Sequence, residues 1–297
     1  MELTYCNPLS IAGIPDGRPL DASLSQEWSV TDYRSISDPS VIYHDGKWIL
    51  YPSYRVAYVT EDFVHWKHVD VGVHDVRYSP AITQFRGKWY MLGHGMADLY
   101  CADSPTGPFK ALLDKPLVGE FHNGAQPIDA HLFKDDDGTM YLYYGGWGHC
   151  NICRMNDDMT GFVPFENGEI FREITPPDYV EGPCMMKRNG KYYFMWSSGG
   201  WTNGTYRVNT CIADTPWGPF TEASTILSTG DSTIANGPGH NGFLYLPETD
   251  QYLMVYHRHK PGITDGNARF LCIDRMDLDK DGNIVPVVMT DEWEYNA

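Results

Sequence analysis

Residues 181–196 read EGPCMMKRNGKYYFMW: an acidic and small-residue head, an apolar run, an Asn-Gly turn, then an aromatic-rich run. Two alternating runs joined by a two-residue turn of this kind are the signature of a β-hairpin. The phrase returns four more times, as DPSVIYHDGKWILY from Asp38, SPAITQFRGKWYML from Ser79, IDAHLFKDDDGTMYLYY from Ile128 and GHNGFLYLPETDQYLMVY from Gly239. A third strand-like segment follows most copies: AYVTEDFVHW, LYCADSPTGPF, NICRMNDDMTGF, TCIADTPWGPF and FLCIDRMDLDKDG. Copies that start 41 to about 60 residues apart, each too small to bury its own faces, predict an all-β, five-bladed β-propeller. We place the blades at 30–74, 75–120, 121–175, 176–232 and 233–292, within one domain of 297 residues. Residues 1–30, irregular around GIPDGRP, are expected to close the ring against the last blade or to cover one face.

Composition narrows the partners. A net charge of −17 repels phosphate backbones and speaks against nucleic acid, and fits solubility and neutral or cationic partners. No apolar run is long enough to span a bilayer as a helix. Aromatic residues make up 14% of the chain, which suits both strand packing and a carbohydrate-facing surface. The 29 Gly and 20 Pro suit a chain of short strands and turns. The odd count of seven cysteines speaks against a disulfide framework. MELTYCNPLS lacks the basic and apolar regions of a secretory signal, so a cytoplasmic location is expected, and the Asn203-Gly204-Thr205 sequon reads as a turn.

In a propeller the innermost strands line a central channel, and equivalent residues of the blades form a ring. Heading the copies are Asp38, Ser79, Asp129, Glu181 and His240. Three carboxylates in one desolvated cavity cannot all ionise normally, so at least one pKa should rise. Carboxyls with separated pKa values are what glycoside hydrolysis requires. Other motifs are set aside. Cys150 and Cys153 have redox-like spacing but lie on a strand, with side chains on different faces. Asp277, Asp279 and Asp281 imitate a calcium loop whose twelfth position is Val288 rather than Glu. His257 and His259 share one strand face, as channel lining or as structure.

The motifs Asp38-Pro39, Ile128-Asp129-Ala130 and Glu181-Gly182-Pro183, in this order on blades one, three and four, resemble glycoside hydrolase family 43 over nearly the whole chain. That family consists of five-bladed propeller enzymes that cleave arabinofuranosides and xylosides with inversion. The resemblance implies Asp38 as general base, Glu181 as general acid and Asp129 as the residue that tunes and orients the acid. It also implies substrate contacts from Arg269, Tyr54, Tyr78 and Ile128. His240 would be an axial residue beside a structural calcium, held directly or through water. Tyr78-Ser79-Pro80 departs from the more usual Trp-Ala-Pro and leaves the sugar open. The expected substrate is a terminal α-L-arabinofuranose on an arabinose- or xylose-containing oligosaccharide, without an organic cofactor. β-D-Xylose is the alternative, and galactofuranosides and longer arabinans rank below both. A carbohydrate-binding propeller without chemistry is the reading from another class. Inversion implies roughly 6.5–9.5 Å between Asp38 and Glu181, whereas about 5 Å would imply retention.

Overall fold

A computed structural model describes residues 7–9, 11, 36–53, 57–73, 76–96, 98–263 and 266–291. Its strands form five antiparallel sheets, the blades of a β-propeller. Blade I contains β1–β4 (Ser40–His44, Lys47–Tyr51, Tyr58–Thr60, Lys67–His68), and blade II β5–β8 (Ala81–Phe85, Lys88–Gly93, Asp98–Ala102, Lys110–Ala111). Blade III contains β9–β12 (His131–Lys134, Met140–Tyr144, Asn151–Met155, Phe162–Val163), with β13 (Arg172–Glu173) also paired to β11. Blade IV contains β14–β17 (Glu181–Arg188, Lys191–Ser198, Arg207–Ala213, Ser224–Leu227), and blade V β18–β20 (Asn236–Leu246, Gln251–His259, Phe270–Met276). The innermost strands β1, β5, β9, β14 and β18 touch in succession, and β18 returns to β1, so the ring is closed. A single 3₁₀ turn, His94–Met96, is the only helical element among the described residues, and no helix is long and apolar enough to cross a membrane.

The turns follow from their residues. Asp45-Gly46, Arg86-Gly87 and Asn189-Gly190 each have two consecutive positive φ angles, from 48° to 79°, the conformation of tight hairpins whose twist matches their strands. The second strand of each blade is buried on both faces, which explains its continuous apolar run. In β2, Trp48 and Leu50 face a core shared with blade V, while Ile49 and Tyr51 face one shared with blade II. In β15, Tyr192, Phe194 and Trp196 pack toward blade III, and Tyr193 and Met195 toward blade V. Five such cores, one between each pair of neighbours, hold the ring. Cys150 and Cys153 fall in two different cores as free thiols, and burial pushes both upward in pKa.

The described part of the N-terminal segment lies on blade V. The Leu9 N–H donates to Leu271 O at 2.8 Å, Asn7 Nδ2 donates to Ile273 O at 2.6 Å, and Ile273 N–H donates to Asn7 Oδ1. Ile11 enters the core between blades V and I. Asp279 accepts the backbone N–H groups of Asp281 and Asn283, so the aspartate-rich stretch is a hairpin turn.

Candidate active site

Register settles which residues are equivalent. Ser40, Ala81, His131, Cys184 and Gly242 occupy matching places opposite the second strands of their blades. Two residues before them stand Asp38, Ser79, Asp129, Gly182 and His240, all at positive φ, from 42° to 63°. Every blade thus enters the axis through one left-handed residue, a conformation costly for most side chains and least so for Gly, Asn, Asp and His. In blade IV this place belongs to Gly182, not to Glu181 as the sequence suggests. An irregularity between Glu181 and Cys184 advances the acid by one residue. Glu181 therefore shares a second layer with Ser37, Tyr78, Ile128 and Gly239, directly before the ring. Tyr78, Ile128 and Glu181 are half-buried there. Tyr54 lies outside the described residues.

Asp38 is buried and held from both oxygens. Oδ2 accepts hydrogen bonds from Ser37 Oγ at 2.9 Å and Ser53 Oγ at 2.6 Å. Oδ1 lies 3.2 Å from Arg269 Nη1 and 3.3 Å from Nδ1 of both His240 and His257. Burial alone would raise this carboxyl, but Arg269, His240 and His257 outweigh it and hold Asp38 well below the ordinary carboxylate range. His257 is fully buried, and desolvation lowers it to about 3, so it is neutral. Its Nε2 has no hydrogen-bond partner among the described residues, while its Nδ1 lies within reach of both the Asp38 N–H, at 3.4 Å, and Asp38 Oδ1.

The other two acids move the opposite way. Burial raises Asp129 to about 7, against the lowering effect of His240, and the charges of Glu181 and Asp38 raise it further. Its Oδ2 accepts the Gly182 N–H at 3.2 Å, which ties Asp129 to the residue after Glu181. Burial also raises Glu181, opposed by His240 and by a hydrogen bond from Tyr206 Oη at 2.8 Å. One carboxyl held toward its ionised form thus faces two pushed toward their protonated forms, the direction of division acid–base hydrolysis needs.

Tyr206 reaches Glu181 because position 239 is glycine: a Cβ there would overlap the Tyr206 ring. The same ring stacks on His257, with centroids 5.7 Å apart and planes at 13°. A packed column therefore runs from Glu181 through Tyr206 and His257 to Asp38. Ser53 joins blades I and II by donating to Asp38 and accepting the Ser79 N–H at 2.8 Å. Trp201 adds a wall: the Arg269 guanidinium lies 5.1 Å from its ring centroid, and His259 Nε2 lies 2.9 Å from its carbonyl oxygen. Ser53, Trp201 and Tyr206 take no site role in the sequence, because no spacing in the chain announces contacts made across blades, whereas His257, there channel lining or structure, faces Asp38. The YHRHK alternation was the one available signal for His257.

Beneath the ring the axis continues as a cavity of about 220 Å³, lined by Asp38, Ser79 and His240 and by apolar positions such as Pro39, Pro80 and Leu132. Asp129, Glu181 and His240 bring three metal-capable atoms within 4.8 Å of one another. His240 Nε2 already lies 2.9 Å from Ser79 Oγ, and its Nδ1 faces Asp38 and Asp129. Calcium takes six to eight oxygen ligands. One imidazole with both nitrogens engaged and two carboxyls supply too few oxygens for that shell, so no catalytic step is assigned to a metal.

Residues 37–284 match the sequence pattern of glycosyl hydrolases family 43. A β-D-galactofuranosidase, xynD, of Aspergillus niger is 42% identical over 186 residues, 63% of this chain and 53% of that protein. A β-xylosidase of Xylanibacter ruminicola is 27% identical over 220 residues, 63% of this chain and 64% of that protein. The chain thus spans between half and two thirds of these relatives. A solved thermostable family-43 glycoside hydrolase shares the fold with a TM-score of 0.74 at 23% identity, covering 98% of both chains. With a matched segment that contains all five blades and the three axial acids, the chain belongs to glycosyl hydrolases family 43.

Proposed function

We propose that this hydrolase removes a terminal α-L-arabinofuranose from arabinose- or xylose-containing oligosaccharides by a single displacement with inversion. The observation that carries the mechanism is the contrast in setting: Asp38 lies 3.2 Å from the Arg269 guanidinium, whereas Glu181 accepts from the Tyr206 hydroxyl at 2.8 Å, and their pKa values are pushed in opposite directions. Glu181 gives its proton to the leaving oxygen. Asp38 takes a proton from the water that attacks the opposite face of the anomeric carbon. Asp129 positions Glu181 through the Gly182 N–H and, once ionised, balances charge at the oxocarbenium-like centre. Arg269 keeps Asp38 ionised and, with Trp201, forms a wall suited to a sugar's hydroxyls and its apolar face.

The Aspergillus relative favours a second reading, β-D-galactofuranose. Its ring has the stereochemistry of α-L-arabinofuranose and differs by a longer exocyclic arm, so one pocket can present the same contacts to both. The Xylanibacter relative keeps β-D-xylose as a third candidate. Nitrophenyl glycosides of the three sugars separate them: arabinofuranoside is expected to give the highest kcat/KM. A clear preference for galactofuranoside or xyloside would replace this assignment. Glu181→Ala should lose about 10²–10⁴-fold on natural oligosaccharides and far less on nitrophenyl glycosides, whose leaving groups scarcely need an acid. Equal losses would remove Glu181 from the proton-donor role.

A further inference from the structure

Outside the axial site, the most exposed large aromatic side chains are paired. Trp147 is 73% exposed and Phe121 49%, and their rings meet edge to face with centroids 5.3 Å apart. Exposed aromatics are ordinary when single. These two sit on backbone that is pinned throughout.

Trp147 occupies the turn between β10 and β11, in a left-handed conformation at φ 58° that is costly for a bulky residue. On one side of the turn, Gly145 N–H donates to Ile128 O at 2.9 Å, and Gly146 exchanges backbone hydrogen bonds with Gln126. On the other, Gly148 N–H donates to Val180 O at 3.2 Å, and Tyr179 Oη donates to Gly145 O at 2.7 Å. Ile128 directly precedes Asp129, and Val180 directly precedes Glu181. The turn that carries Trp147 is therefore clamped to the residues directly before Asp129 and Glu181. Phe121 opens a short hairpin fixed by Asn123 Nδ2 donating to Asn151 Oδ1 and by His122 stacked on Phe171 at 3.6 Å.

We infer that Trp147 and Phe121 form an aglycone subsite, a platform for the pyranose rings of a neutral oligosaccharide beyond the scissile bond. The inference rests on Glu181 as proton donor, because a leaving group protonated there departs beside the residue whose neighbour, Val180, holds this turn. Trp201 stands instead beside Arg269, the partner of Asp38. A pyranose presents a flat array of C–H groups that covers an indole face, and a ring fixed in advance orders little on binding. The net charge of −17 selects neutral sugars over uronic acids.

Xylotriose is the probe, titrated calorimetrically into the intact chain. Trp147→Ala is expected to weaken it about tenfold or more, Phe121→Ala less, and Trp147→Phe to recover part of the loss. In kinetics, the loss of kcat/KM for Trp147→Ala on an arabinofuranosyl xylotriose should exceed that on methyl α-L-arabinofuranoside by about tenfold. Equal xylotriose affinities in wild type and Trp147→Ala, or no binding by wild type, would overturn the subsite. Trp147-dependent binding by a wild type that cleaves none of the glycosides would instead refute the reading of Glu181 and leave the platform standing.

Discussion

Replacing Asp129 by asparagine removes a buried carboxyl that holds its proton to about pH 7, against 3.8 for the ordinary group. Below 3.8 the folded and unfolded chains both carry that proton, and it has no effect on stability. Between 3.8 and 7 the unfolded chain has released it while the folded chain keeps it. Stability then falls as pH rises, by about 1.4 kcal/mol per pH unit. By pH 8 the native aspartate costs about 4 kcal/mol, a large share of the ~5–15 kcal/mol that holds a typical domain. Asparagine cannot ionise, and its Oδ1 can still accept the Gly182 N–H that Asp129 accepts at 3.2 Å. Urea unfolding of wild type and Asp129→Asn at pH 5 and pH 8 reads the effect, because titrations of groups that do not interact with Asp129 cancel in the difference, and Glu181→Gln in both backgrounds removes the one neighbour whose titration is tied to it. The variant should gain roughly 2–3 kcal/mol more over wild type at pH 8 than at pH 5, while its activity collapses. An advantage that is the same at both pH values, or a variant less stable than wild type at pH 8, would refute the burial argument for Asp129.

Other perturbations test the neighbours. Tyr206→Phe deletes a hydrogen bond to a carboxylate worth ~1.5–3 kcal/mol. That bond lowers the Glu181 pKa, so its loss should move the alkaline limb of kcat/KM upward on substrates with poor leaving groups; an unmoved limb would show that the phenol does not bias the acid. Gly239→Ala places a methyl group in the Tyr206 ring and should cost about 1–3 kcal/mol of stability together with at least the kinetic loss of Tyr206→Phe. Wild-type activity in this variant would mean that Tyr206 moves aside without consequence. Arg269→Met removes the strongest influence that keeps Asp38 ionised, so activity should be lost at higher pH on the acid side, read from the acid limb of the same profile.

The hairpins were legible because tight turns demand particular residues. Asp45-Gly46, Arg86-Gly87 and Asn189-Gly190 mark them in the chain and adopt the two positive φ angles expected. The three acids were legible because each begins a repeat. Their relative depth was hidden, since the irregularity after Glu181 leaves no acidic or apolar signature. Alignment on Pro39, Pro80 and Pro183 rather than on the acids would have put Gly182 on the ring. Gly239 carries its reason in another strand, in the Tyr206 ring that fills its missing side chain. Trp201 and Tyr206 reach the site only once the blades close, and closure is a property of packing that no local spacing encodes.

Division of labour between Asp38 and Glu181 on opposite faces of one anomeric carbon fixes the stereochemistry of the first product. Proton NMR of the sugar released in the first moments of hydrolysis, before mutarotation, reads it directly. With an α-L-arabinofuranoside, the β anomer should appear first and the α anomer only as mutarotation proceeds. First release of the α anomer would mean double displacement, and Asp38 would then be a nucleophile rather than the base that activates water.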